Sequence, residues 1–229
     1  MQPLITILTP TIGKNSLTRL MNSLDKQSVP FQHILLWDDL RHDNYLYPNP
    51  VTLKPSNPYD LNSSNRYSVV IPGSFVQGQA CGSALRSIGL MLANTNFVTF
   101  LDDDCWIEPC HLESLLNIVK DKNWGYCRRK IWGNEEHCFG VDNFESVGDS
   151  VDKKVPYEMV DNNCMIFSRR FGTSGAVLYR ETLEYNDDRL FYKFLKDHAG
   201  NPGITKNATV NQICPNKLRP MFIKNCTRI

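Results

Sequence analysis

The sequence contains no apolar run approaching eighteen residues, so no membrane-spanning helix is expected. The stretch Met1-Gln2-Pro3-Leu4-Ile5-Thr6 has neither a basic leader nor a long apolar core, and a signal peptide is not expected. A strong charge of either sign is missing too. The formal balance is +1, which argues against nucleic acid or another polyanion as the main partner but leaves room for a small anion in a local pocket. The eight cysteines include no Cys-x-x-Cys pair. Cys105, Cys110 and His111 have no second pair at finger spacing, so reduced thiols are expected rather than zinc. Sequons at Asn62, Asn207 and Asn225 are read as chance, and the chain is expected to be cytoplasmic, with any membrane contact peripheral. No repeat or low-complexity tract occurs. What remains is an ordinary globular composition, 41% hydrophobic, enough for the core of one domain spanning residues 1–229.

The most informative stretch is Phe97-Val98-Thr99-Phe100-Leu101-Asp102-Asp103-Asp104. It is a β-rich apolar run that breaks into three carboxylates. Adjacent acids at a strand end repel one another and desolvate badly, and a cation would remove that cost. In extended backbone Asp102 and Asp104 project to one side and Asp103 to the other. Two oxygen ligands on one side suit Mg²⁺ or Mn²⁺. A solvated acidic turn is the alternative from the triplet alone.

The surrounding pattern is α/β. Leu4 to Thr9 reads as a strand running into Pro10-Thr11-Ile12-Gly13. A helix with Leu17, Leu20, Met21 and Leu24 on one face follows, then a strand from His33 to Trp37 that ends in Asp38-Asp39. Strand, helix and strand with short links imply a parallel sheet, on which ligands bind beyond the strands' carboxyl ends. Residues 41–65 read as a long loop and Tyr67 to Ile71 as a short strand. The small-residue segment Gly78 to Ala93, carrying Arg86, reads as a helix packed closely on the sheet. Further on, helices are expected at about 110–120 and 189–198. Strands are expected at 124–132, Met165–Phe167, Gly175–Arg180 and Ala208–Ile213, and residues 133–158 read as irregular.

Four blocks in this order carry a resemblance: Thr9-Pro10-Thr11, Asp38-Asp39, Gly78 with Ala84-x-Arg86-x-x-Gly89, and Phe100-Leu101-Asp102-Asp103-Asp104. Over residues 4 to 115 the chain resembles the GT-A glycosyltransferases, most closely family 2. The resemblance implies a single GT-A domain, with a mostly parallel sheet flanked by helices. The half up to about 105 would hold a nucleotide sugar and the half from about 106 the acceptor. It implies a UDP- or GDP-sugar donor, Mn²⁺ or Mg²⁺, and inverting transfer to a hydroxyl of a glycan or glycolipid. Thr9, Pro10, Thr11, Asp38 and Asp39 would hold the nucleoside. Arg86 would meet the diphosphate, and Asp102 and Asp103 the donor. Asp102 and Asp104 would hold the metal, with His198 as an added ligand. Asp188, or Asp187 beside it, would be the base.

Each has a plainer reading. Asp187-Asp188 also suit a helix start, His198 a helix end, and Arg86 an exposed surface. Trp106, Trp132 and Asp161-Asn162-Asn163 are candidates for the acceptor side. The Arg128-Arg129-Lys130 and Arg169-Arg170 clusters read mostly as surface. Two other functions fit less of the pattern. A sugar nucleotidylyltransferase would need a Gly-rich loop that residues 8–20 lack, and a non-catalytic nucleotide-sugar or glycan-binding module would not need the base.

Overall fold

A computed structural model describes residues 4–38, 65–71, 82–148, 158–181, 187–214 and 217–228. Asp39, Gly78 and most of the 41–65 loop lie outside the described residues. The first strand, β1 (Ile5–Thr11), is buried along its whole length, as its continuous apolar and threonine sequence predicts for a strand covered on both faces. Helix α1 (Leu17–Leu24) buries Leu17, Leu20 and Leu24 at helical spacing and returns the chain to β2 (Phe31–Asp38). β1 and β2 pair in parallel, Leu8 opposite Ile34, and β2 pairs in parallel with β3 (Asn65–Ile71). Helix α2 (Ser83–Leu92) leads into β4 (Phe97–Phe100), which pairs in parallel with the other edge of β1. Close packing of α2 depends on Gly89, where a Cβ would lie 2.6 Å from Leu36 Cδ1.

Beyond β4 the sheet becomes mixed. After β5 (Cys105–Ile107) and α3 (His111–Ile118), the long strand β6 (Trp124–Asn134) turns back through β7 (His137–Val141). β8 (Met165–Ser168) inserts antiparallel between β4 and β6, and β9 (Gly203–Ile213) runs parallel to β6 and antiparallel to β5. The order β3-β2-β1-β4-β8-β6-β9-β5, with β7 on β6, is one nine-stranded sheet among the described residues. Helices α4 (Arg169–Glu181), α5 (Asp187–His198) and α6 (Arg219–Asn225) complete it. The expected α/β architecture, a mixed sheet flanked by helices, is present.

Several expected elements differ. Gly175–Arg180, expected as a strand, is the second half of α4. A short apolar run does not distinguish a strand from a packed helix. Here the small residues decide: a Cβ on Gly172 would meet Phe167 at 2.5 Å, and one on Gly175 would meet Phe191 at 2.7 Å. The 133–158 region, expected to be irregular, contributes the end of β6 and all of β7. β5 and α6 were not expected, and β9 begins five residues before Ala208.

Candidate active site

Strands β1, β2 and β4 run in the same direction, so their carboxyl ends open on one edge of the sheet. There Pro10, Thr11, Lys14, Asp38, Gly82, Arg86 and Asp102 to Asp104 line a cavity of about 260 Å³. Gly82 stands before α2 with φ of 80°, and a Cβ there would lie 2.8 Å from Pro10 Cβ, so glycine lets the helix approach the loop after β1.

The three acids have different surroundings. Asp102 accepts from Arg86 Nη2 at 2.5 Å through Oδ1 and from Asn163 Nδ2 at 3.0 Å through Oδ2. Its backbone N–H donates to Asn163 Oδ1 at 2.6 Å. Burial pushes the Asp102 carboxyl up, but Arg86, Asn163 and Lys14 outweigh that and hold it below the usual carboxylate range. Asp103, 5% exposed, accepts from Thr11 Oγ1 at 2.8 Å and lies 3.1 Å from Lys14 Nζ. Burial raises its carboxyl, and Lys14 and Thr11 offset this only in part. Asp104 is 49% exposed and lies 3.0 Å from the same ammonium. Burial pulls Lys14 down, yet Asp103 and Asp104 more than reverse this and keep the ammonium charged.

This corrects the expected alternation. Asp103 and Asp104 share one cation, and Asp102 turns to Arg86 and Asn163. The backbone after Leu101 has left the strand, so side chains no longer alternate across it. Among the described residues no three His, Cys, Asp or Glu converge as a ready-made metal cluster.

The other expected site residues divide. Pro10, Thr11, Asp38 and Arg86 line the cavity. Thr9 does not. It is fully buried in β1, with Oγ1 3.0 Å from His33 Nε2, two residues short of the strand end where Thr11 meets the cavity. His198 also does not reach the acids. The neighbouring carbonyls of Ala199 and Gly200 accept from Asn123 and Trp124, and Trp124 pairs with Phe167, which pairs with Val98. His198 ends α5, opposite the helix start that carries Asp188, and does not line the cavity. It is exposed, its ring 4.8 Å from that of Phe194. Helix α5 begins at Asp187, and Phe191 packs on Phe100 at 6.2 Å, which brings the helix start toward the acidic end. Asp188 Oδ1 accepts from the N–H of Arg189 at 2.8 Å, and Asp188 does not line the cavity.

Two supporting groups have roles the sequence did not suggest, Asn163 having been expected with Asp161 and Asn162 on the acceptor side. Asn163 follows Asp161 in a 3₁₀ turn (Asn162–Cys164) just before β8, and its hold on Asp102 is a tertiary contact that no local pattern signals. Arg129, expected at the surface, is 3% exposed and ion-pairs with Asp142, Glu145 and Asp161 while donating to Gln212. Asp161 in turn accepts from Asn163 Nδ2 at 2.7 Å, so this cluster braces the turn that holds Asp102. A second cavity of about 560 Å³ shares Asp104 as a wall and includes Ser16, Arg19 and Glu135. Arg19 stacks 4.0 Å over Trp106, whose ring centroid is 5.5 Å from that of Trp132.

The fold is similar to that of S. aureus TarS. The crystal structure of TarS 1–349 superposes with a TM-score of 0.67 at 19% identity, over 91% of this chain and 60% of that one. Its complex with UDP-GlcNAc gives 0.65 at 17% identity over 93% and 59%, and its complex with UDP gives 0.64 at 18% over 95% and 62%. The chain thus spans less than two thirds of the TarS chains it matches, and 36% of the longer TarS structure. No family model and no curated protein sequence matches it. The similarity shows that the chain shares the α/β fold of TarS, in agreement with the architecture expected above.

Proposed function

We propose that the chain is an inverting glycosyltransferase acting on a UDP-linked sugar, with a hydroxyl of a glycan or glycolipid as acceptor. The observation that carries this reading is the cavity at the carboxyl ends of β1, β2 and β4, where Asp102 is fixed between Arg86 and Asn163 and a cation is shared by Asp103 and Asp104. The similar fold of TarS, solved with UDP-GlcNAc and UDP, supports a uridine nucleotide as ligand. Pro10, Thr11 and Asp38 would receive the nucleoside, and Arg86 would orient Asp102 toward the ribose and diphosphate.

The acids fit a divalent cation, because they already hold a stand-in, the Lys14 ammonium. Asp103 and Asp104 would hold the metal through the hard carboxylate oxygens it prefers. A bound Mg²⁺ or Mn²⁺ supplies Lewis acidity toward the leaving diphosphate. In the transfer, the acceptor O–H gives its proton to the Asp188 carboxylate. The acceptor oxygen bonds to the anomeric carbon from the face opposite the diphosphate. The bond from that carbon to the phosphate oxygen breaks, and the nucleoside diphosphate leaves with the electron pair. Trp106 and Trp132, beside the second cavity, suit an acceptor sugar ring.

Substituting Asp188→Asn tests the assignment of the base. UDP binding measured by calorimetry should be unchanged, while transfer from UDP-sugar falls by about 10²-fold or more. Retained transfer would move the base elsewhere. A non-catalytic nucleotide-sugar-binding module is the second reading, favoured by the position of Asp188 outside the cavity wall. Binding of UDP-sugar with neither hydrolysis nor transfer by the unsubstituted protein would select it.

A further inference from the structure

We propose that Lys14 is a tethered competitor for the divalent cation of this site, so that the metal binds well only when a nucleoside diphosphate draws the ammonium away. The nucleotide part rests on the reading above; the competition does not.

The Lys14 ammonium lies 3.1 Å from Asp103 Oδ1 and 3.0 Å from Asp104 Oδ2. These are the oxygens a hard cation would take. An ammonium has three N–H donors, and these two contacts are its only ones among the described residues. The side chain is 41% exposed and lines the cavity, so its third donor is accessible to a phosphate oxygen. Lys14 sits on the loop between β1 and α1, and the flexible four-carbon stem lets the head move without the backbone.

Charge decides the order of events. Asp102, Asp103 and Asp104 face Arg86 and Lys14, which leaves the cluster with one uncompensated negative charge. A metal arriving alone must displace an ammonium that has nowhere better to go than water. A diphosphate arriving alone meets a net negative wall. When both arrive, the diphosphate oxygens accept the displaced ammonium, and metal, Lys14 and Arg86 together face the new charge. Each ligand therefore raises the other's affinity, and by linkage the factor is the same in both directions.

The test is calorimetric titration of Mn²⁺ into the wild-type protein, Lys14→Ala, Lys14→Gln and Lys14→Arg, with and without UDP. Circular dichroism verifies that each variant is folded, and Lys14→Gln stands in if Lys14→Ala is not. Without UDP, the Ala and Gln variants should bind Mn²⁺ about tenfold more tightly than wild type, and Lys14→Arg should resemble wild type. With UDP, Mn²⁺ affinity should rise about tenfold in wild type and much less in the Ala and Gln variants. Equal Mn²⁺ affinity in wild type and the Ala and Gln variants, or no Mn²⁺ binding by any of them, overturns the proposal. A wild type indifferent to UDP, with the Ala and Gln variants still binding Mn²⁺ more tightly, would refute the uridine-nucleotide reading and leave the competition standing.

Discussion

His33 is fully buried in β2, with Nε2 on Thr9 Oγ1 and no described partner for Nδ1. Burial, helped by the Arg66 charge on the adjacent strand, pushes its pKa down to about 3. The folded protein therefore keeps this imidazole neutral at pH values where the unfolded chain, titrating near 6.5, takes up a proton. Its contribution is complete above about 6.5 and is lost as pH falls toward 3, at about 1.4 kcal/mol per unit. Denaturant melts should show a loss of about 2 kcal/mol between pH 6.5 and 5, and His33→Gln should flatten that slope. An unchanged slope would place the acid sensitivity elsewhere. Asn163 makes a different kind of contribution. Asn163→Ala leaves the Asp102 N–H without its acceptor, which costs about 1–3 kcal/mol in unfolding free energy. It also releases the carboxylate, so UDP affinity should fall about tenfold in calorimetry. Unchanged binding would show that Asn163 serves only the fold.

At the scale of elements, β6 and β9 touch α3 through two glycines. A Cβ on Gly125 would lie 2.4 Å from the carbonyl oxygen of Gly203, and one on Gly203 would lie 1.9 Å from that of Ile118. Backbone cannot yield as a flexible side chain can. Gly203→Ala should therefore destabilise by about 3 kcal/mol or more, read as a lower urea midpoint, whereas Gly200→Ala has open space and pays only for its φ of 81°. A midpoint equal to wild type for Gly203→Ala would mean that α3 is free to shift. The same elements show what the sequence could reveal. Strands β1, β2 and β4 are continuous apolar runs that end in polar residues, and they were legible for that reason. α4 was not, because Gly175-Ala176-Val177-Leu178-Tyr179 has the composition of a strand and its helical state depends on packing by Gly172 and Gly175. β7 was hidden because its residues, His137-Cys138-Phe139-Gly140-Val141, pair only with the part of β6 that extends past β8.

At the scale of the whole molecule, the candidate site was legible where it follows from topology. Parallel strands must gather Pro10, Thr11, Asp38 and Asp102 at one edge, whatever their individual contacts. The roles of Lys14, Asn163 and Arg129 were illegible because their partners are chosen by the fold: Lys14 and Asn163 act across 90 and 61 positions, and Arg129 gathers acids 13 to 32 positions away. Since the site is assembled from β1, β2, α2 and the turn before β8, a ligand there holds the molecule together, and stability reports occupancy. UDP at about 100 times its dissociation constant, with Mn²⁺, adds about 2.7 kcal/mol to the folded state. For a chain of this size that raises the melting midpoint by roughly 5–11 °C. ADP at the same concentration should give little. Asp104→Ala should abolish the part of the shift that depends on Mn²⁺, because it removes a half-exposed carboxylate from the cation without disturbing Asp102. If no nucleotide moves the midpoint, with Mn²⁺ or with EDTA, the acids serve only as a structural cluster paired with Lys14 and Arg86. The similarity to TarS would then be one of fold alone.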